Sequence, residues 1–284
     1  MGSPLHSRPV FPAPATQNTP LRNRILFLSA VWIIALIPLF FWHGPWFGRP
    51  LSDQQIDSYL HDQNPRHVEH AMVQLGERMG RRDQTVEVWY PTLVALADSS
   101  DEDIRSTDAQ IMAEDSRQPA FHDALRRMLH DGSAAVRNQA ALSLVRFSDP
   151  LGHDQIVSIL QPIIVTAPTD GRILEIAKAG ANVSRDENVA RLDCNGRAVE
   201  IHAAIAGRIH TVLGHPGENI SGNAGLLTMY ASTDDLWKAL RALAIIGRPD
   251  DLPAVESWTG LSPNIPERLR QQAMLTDKLI RERK

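Results

Sequence analysis

Val165-Thr166-Ala167-Pro168-Thr169-Asp170-Gly171-Arg172-Ile173 and Ile201-His202-Ala203-Ala204-Ile205-Ala206-Gly207-Arg208-Ile209 are two versions of one segment, 36 residues apart. Downstream, Gly180-Ala181-Asn182-Val183-Ser184 matches Gly217-Glu218-Asn219-Ile220-Ser221 at an offset of 37, which puts a one-residue insertion at Gly214-His215-Pro216. Each half is a run of short apolar strands broken by glycines and is too small to bury its own face. Two such halves are expected to interlock around one core. They join at Leu192-Asp193-Cys194-Asn195-Gly196-Arg197-Ala198-Val199, where Asn195-Gly196 is the strongest two-residue hairpin signal available. Gly171 and Gly207 fall at equivalent turns and are read as positions of positive φ, which a β-branched residue resists.

The pattern apolar-x-Ala-Pro-x-x-Gly-apolar, followed by Gly-x-x-Val, resembles the biotinyl/lipoyl-like barrel-sandwich hybrid, also the core of HlyD-like membrane-fusion adaptors. The resemblance covers the 66 residues Ile164 to Met229. It implies either a modified lysine on the central hairpin, as in swinging-arm carriers, or a long helical hairpin inserted there, as in efflux adaptors. The hairpin here has no lysine and closes in a tight turn, so the expectation is a binding or packing module without either tool.

A chain of 284 residues with 43% hydrophobic and 22% charged residues can hold two small domains plus an anchor. The net charge is −4. Residues 1–24 carry Arg8, Arg22 and Arg24 and no acid, so the other 260 residues carry −7. No basic footprint for nucleic acid is present. One cysteine, Cys194, excludes an internal disulfide and multi-cysteine metal motifs. Ile25 to Trp42 is free of charge for 18 residues, and Asn23 to His43 completes the length of a membrane span. Trp32 lies within it, while Trp42, Trp46 and Phe47 suit the far interface. The preceding arginines predict a cytoplasmic N-terminus in a bacterial inner membrane, with the bulk of the chain periplasmic. Ser29, Ala30, Ile33, Ala35 and Ile37 are the residues expected to pack against other membrane helices. Met1 to Pro20, with five prolines, has no periodic face and is expected to order only on a partner.

Between Leu51 and Leu160 the period turns helical. Ser52 and Asp53 are placed to cap a first helix, and Pro65 to start a second. Val68, Met72, Leu75 and Met79 share one face. Further helical segments are predicted at 84–97, 101–114, 118–130 and 133–148. Asp103-Ile104-Arg105 with Ala109 and Met112 matches Ala135-Val136-Arg137 with Ala141 and Leu144, 32 residues on. This resembles HEAT-type helical repeats, in which such an arginine bonds the neighbouring repeat. Leu236 to Leu243 returns to that style. The expected fold class is therefore α+β, with one transmembrane helix and a HEAT-like α-solenoid interrupted by a small all-β barrel-sandwich hybrid domain. The expected divisions are a Pro-rich tail 1–22, a membrane helix 23–46, helical repeats 50–160, the β domain 161–230 and a helical segment 231–284.

Chemical constellations are sparse. His67 and His70 on adjacent turns lack further metal ligands in sequence, as do His122 and His130. Asp98, Asp101, Glu102 and Asp103 lack the alternation of a calcium loop and read as helix-start acids. Cys194 has no base partner in sequence. Gly214-His215-Pro216-Gly217 lacks the lysine and helix of a phosphate loop. Asn182-Val183-Ser184 fits a glycosylation acceptor that many unmodified chains also carry. The expectation is no catalysis, cofactor or metal. The chain is read as a membrane-anchored scaffold or accessory subunit of a larger respiratory or photosynthetic complex. Its partners are integral membrane subunits and the bilayer. A reduced HlyD-like transporter adaptor is the alternative, and an enzyme or carrier on the biotinyl/lipoyl pattern a third reading.

Overall fold

The computed structural model describes residues 50–261 and 265–283. Helix α1 (Asp53–Leu60) starts in a capping box, with Ser52 accepting from the Gln55 amide and Gln55 reaching back. Helix α2 (Pro65–Gly80) begins at proline and buries Val68, Met72, Leu75 and Met79. A 3-10 turn (Gln84–Trp89) runs into α3 (Tyr90–Leu96), followed by α4 (Glu102–Met112), α5 (Pro119–Met128), α6 (Ala134–Leu144) and, after two further 3-10 turns, α7 (His153–Ile159). The strands β1 (Ile163–Thr166) to β8 (Gly225–Ala231) follow. The chain then returns to helices α8 (Thr233–Ile246), α9 (Leu252–Glu256) and α10 (Glu267–Glu282).

The helical copies at offset 32 share their caps and their arginines. Asp101 accepts from the Asp103 and Ile104 amides in the first turn of α4, and Ser133 from those of Ala135 and Val136 in the first turn of α6. Arg105 donates to the carbonyls of Ser99 and Ser100, and Arg137 to those of Asp131 and Gly132. Arg105 also grips the Asp131 carboxylate with two donors, at 2.7 and 2.9 Å, tying one copy to the next.

The β region consists of two four-stranded antiparallel sheets, ordered β1-β8-β6-β3 and β5-β4-β2-β7. Here β2 is Gly171–Ile176, β3 Asn182–Val183, β4 Asn188–Cys194, β5 Arg197–His202, β6 Gly207–Val212 and β7 Asn219–Ile220. Exchanging each strand for its counterpart in the other half turns one sheet order into the other, so each sheet takes two strands from each half. The irregularities repeat as well. Register breaks skip Leu174 in β2 and His210 in β6, and Val189 in β4 and Leu226 in β8. The Gly180 amide donates to the Ile209 carbonyl (2.8 Å) and the Gly217 amide to that of Ile173 (2.7 Å). Arg208 and Arg172 close the pattern, each donating to the carbonyl of the glycine in the opposite half. Each half pairs two strands within itself, β2 with β4 and β6 with β8, but its glycine turn finds hydrogen-bond partners in the other half.

The expected architecture is corrected on two points. The described residues form a mixed fold of helices and two small antiparallel sheets, with helices of 5 to 16 residues and 3-10 interruptions that do not make a clear solenoid. No helix among them is long and apolar enough to cross a membrane. The predicted membrane segment 23–46 and the tail 1–22 lie outside the described residues.

Within Leu51–Lys284 the apolar core has two parts that meet at α6 rather than at the edge of the β region. Val136, Ala140 and Leu144 pack with α1 to α5, around Met72, Leu93 and Phe121. Ala141, on the adjacent face of α6, belongs to the core that joins α7, the sheets, α8 and α10 through Ile156, Ile173, Leu192 and Leu240. The entry and exit of the strand region are also fastened. His153 Nε2 lies 2.8 Å from Asp251 Oδ2, and the Trp258 indole donates to the Leu160 carbonyl at 3.3 Å; both contacts span 98 residues.

Candidate interaction surfaces

The aromatic contacts expected at Trp32, Trp42, Trp46 and Phe47 lie outside the described residues. The structural turns expected in the β region are all described. Asn195 (φ 57°) and Gly196 (φ 82°) are both left-handed and join Cys194 to Arg197, the conformation a two-residue hairpin of this type requires. Gly171 and Gly207 require a different physical reason from the one the sequence suggests. Both open strands, β2 and β6, and neither has positive φ; that conformation belongs to Gly180 and Gly217. Gly171 and Gly207 are glycine because backbone passes over them. A Cβ on Gly207 would sit 2.0 Å from the Tyr230 carbonyl oxygen, and one on Gly171 would meet Cys194 Sγ at 2.9 Å and the Asp193 carbonyl oxygen at 3.0 Å.

Beside the hairpin is an open hollow of about 860 Å³, lined by Thr169, Asp170, Cys194, Asn195, Arg197 and Glu200 among others. Cys194 is half-buried and 3.4 Å from the Thr169 hydroxyl. A second hollow, of about 350 Å³, lies where α4, α6 and α7 meet the turns of the β region; Ser106, Asn138, Leu142, Arg185, Ile205 and Asp235 contribute to it. Arg185 crosses this seam to Glu102 (3.0 Å) and Asp103. The acids at the start of α4 therefore have two tasks: Asp101 caps the helix, and its neighbours hold the β region. The Asp103 bond is the first cause of a raised Arg185 pKa. Glu69 nearby is pushed up, by burial first and then by the charges of Asp103 and Asp101.

Two of the candidate histidines make structural contacts. His67 bonds Asp62 at 2.6 Å and stacks on Tyr59, and His122 bonds Asp149, which Arg126 also holds. Among the described residues, no group of three or more His, Cys, Asp or Glu is placed to hold a metal ion.

Two arrangements escape sequence reasoning. Asp108, on α4, is fully buried, and neither carboxylate oxygen has a hydrogen-bond partner. Burial pushes its pKa well above the carboxylate range, with no charged neighbour contributing. Its place in the stripe Ile104, Asp108, Ile111, Met112 is a legible signal, since an acid stands there among core residues. The other is Trp237 on α8, against which the guanidinium groups of Arg241 and Arg268 both stack. Trp237 and Arg241 are one turn apart in sequence, but the arrival of Arg268 from α10 depends on tertiary packing.

No family model matches the chain, and no curated protein does. A solved single-chain, multi-domain long-chain acyl-CoA carboxylase matches at 19% identity with a TM-score of 0.25, over 34% of this chain and 10% of that one. A likeness that weak carries no argument about fold or activity.

Proposed function

We propose that this chain is a non-catalytic accessory subunit that stabilises a larger membrane protein complex, of respiratory or photosynthetic type, at its periplasmic face. The observation that carries the reading is the welding of helices and sheets into one body. The shared helix α6, the Arg185 bridge and the buried His153–Asp251 pair fix two unlike surfaces relative to each other, as suits a protein recognised by shape. Large apolar side chains on that body are open to solvent, including Val88 (70% exposed), Ile245 (64%) and Ile164 (59%). Isolated apolar side chains are ordinary on a surface, and they gain meaning only where they accompany specific polar anchors. The sequence basis for the membrane side of this reading, Ile25 to Trp42, lies outside the described residues.

A reduced periplasmic adaptor is the second reading, and the interleaved two-half strand region favours it. The tight Asn195-Gly196 turn opposes it, because it leaves no room for an adaptor's helical hairpin. Purification in mild detergent followed by mass spectrometry separates the two. Integral bioenergetic subunits are expected to come down with the chain. A transporter permease in their place would establish the second reading, and recovery of the chain alone would defeat both.

A further inference from the structure

The guanidinium carbons of Arg241 and Arg268 lie 4.7 Å and 4.2 Å from the centre of the Trp237 ring. Both arginines are exposed, and neither has a hydrogen bond or ion pair to a described residue. The neighbouring acids are already engaged. Lys238 takes Asp234 (2.9 Å), Arg270 takes Glu267 (2.7 Å), and Arg281 takes Asp277 (2.9 Å). Two positive charges are thus stacked on one ring, with no anion among the described residues paired to either.

A stripe that is polar at Arg268 and Gln272 and apolar at Leu275 and Leu279 continues from this point. Positions 268, 272, 275 and 279 fall on one face of α10, where Leu275 is 49% and Leu279 36% exposed. On α8, Ile245 lies one turn beyond Arg241. The two helices are bonded through the Thr276 hydroxyl, which donates to the Leu240 carbonyl at 2.9 Å. From Arg268 to Leu279 the stripe runs roughly 16 Å at 1.5 Å per residue. That is the length of a short protein segment and far more than a lone phosphate covers. Planar guanidinium groups match carboxylates with paired hydrogen bonds, and tryptophan and arginine are the side chains on which interfaces concentrate their energy.

We propose that this surface docks an acidic protein segment, with carboxylates on Arg241 and Arg268 and aliphatic side chains over Ile245, Leu275 and Leu279. The proposal rests on the accessory-subunit reading and names the chemistry of the partner. It is tested on the full chain with a labelled peptide of alternating glutamate and leucine, followed by fluorescence anisotropy. Saturable binding is expected, weakening with added salt and about tenfold weaker in R241E/R268E, equivalent to about 1.4 kcal/mol. Circular dichroism and melting of the double variant should match the parent, and Arg197→Glu, on β5, should bind like the parent. A lysine–leucine peptide should not bind. Equal affinity of parent and double variant for the acidic peptide overturns the proposal. So does binding of inorganic phosphate or phosphatidylglycerol vesicles through these arginines when the peptide fails to bind. Copurification from mild detergent is read on both proteins. If the double variant retains the integral subunits, the docking surface is wrong and the accessory reading stands. If the parent retains none, that reading itself fails.

Discussion

The two internal repeats of this molecule have been kept to different standards. In the strand region, the halves agree in sheet order, in both pairs of register breaks, in the positive-φ glycines Gly180 and Gly217, and in the arginines that bond them. In the helical region, the copies at offset 32 agree in caps and arginines, yet a buried stripe carries Asp108 in one and Ala140 in the other. The difference follows from where backbone groups find partners. A helix satisfies its own amides and can change a core residue at the cost of that residue alone. Each strand half satisfies its turns on the other half, so a change there is felt twice.

The largest effect expected is at the close backbone approaches, where the strand halves are least equal. Gly207→Ala places a methyl group against the Tyr230 carbonyl and should cost about 3 kcal/mol or more, while Gly171→Ala, which crowds a sulfur and a carbonyl less severely, should cost about 1–2 kcal/mol. Denaturant melting of the two variants checks the order. Equal losses would mean that the halves are closer in geometry than the contacts at 2.0 and 2.9 Å indicate.

Next comes the helical exception. Asp108→Ala, which copies Ala140, should stabilise the fold at neutral pH by about 1–3 kcal/mol, because an unpaired buried polar group is removed. The sign with pH follows from the raised folded-state pKa. Below the ordinary carboxylate range both folded and unfolded chains hold the proton, and ionisation costs the fold nothing. As pH rises, the unfolded chain releases its proton first, so stability falls until the folded group ionises too. The advantage of Asp108→Ala should therefore grow from acidic to neutral pH, as read by melting across that range. A constant difference between variant and parent would show that Asp108 is ionised in both states or in neither.

The smallest effect tests the equality of the halves. Arg172→Ala and Arg208→Ala each remove a side-chain bond to a glycine carbonyl and should each cost about 0.5–1.5 kcal/mol. A loss confined to one of them would break the equivalence that the hydrogen bonds describe.

What could be read without the structure was local and periodic. The strand repeat, the Asn195-Gly196 turn, the Ser52 cap, the Pro65 start and the buried face of α2 depend on residues near one another in sequence. So does the insertion at Gly214-His215-Pro216: Leu213 to Glu218 takes six residues where Ala177 to Ala181 takes five. For Gly171 and Gly207 the sequence points to the wrong role, because glycine serves two needs, freedom in φ and absence of a side chain, and composition alone does not separate them. The architecture of the helices, the division of α6 between two cores and the Arg185 bridge depend on contacts over tens of residues. Trp237 and Arg241 could be paired by spacing, but Arg268 could not. The sequence-derived partner contacts at Trp32, Trp42, Trp46 and Phe47 lie outside the described residues.

The fastening of α7 also bears on how the chain is made. His153 and Leu160 find their partners in Asp251 and Trp258 only after another 98 residues have been synthesised. At roughly 5–20 residues per second, a ribosome needs about 5–20 s to supply them. During that interval the seven-residue helix α7 can pack on α6 but lacks these two fastenings, and the face it later buries against α8 has no cover until that helix is made. Slow codons placed across the strand region would lengthen that exposure, and the yield of soluble protein would register it.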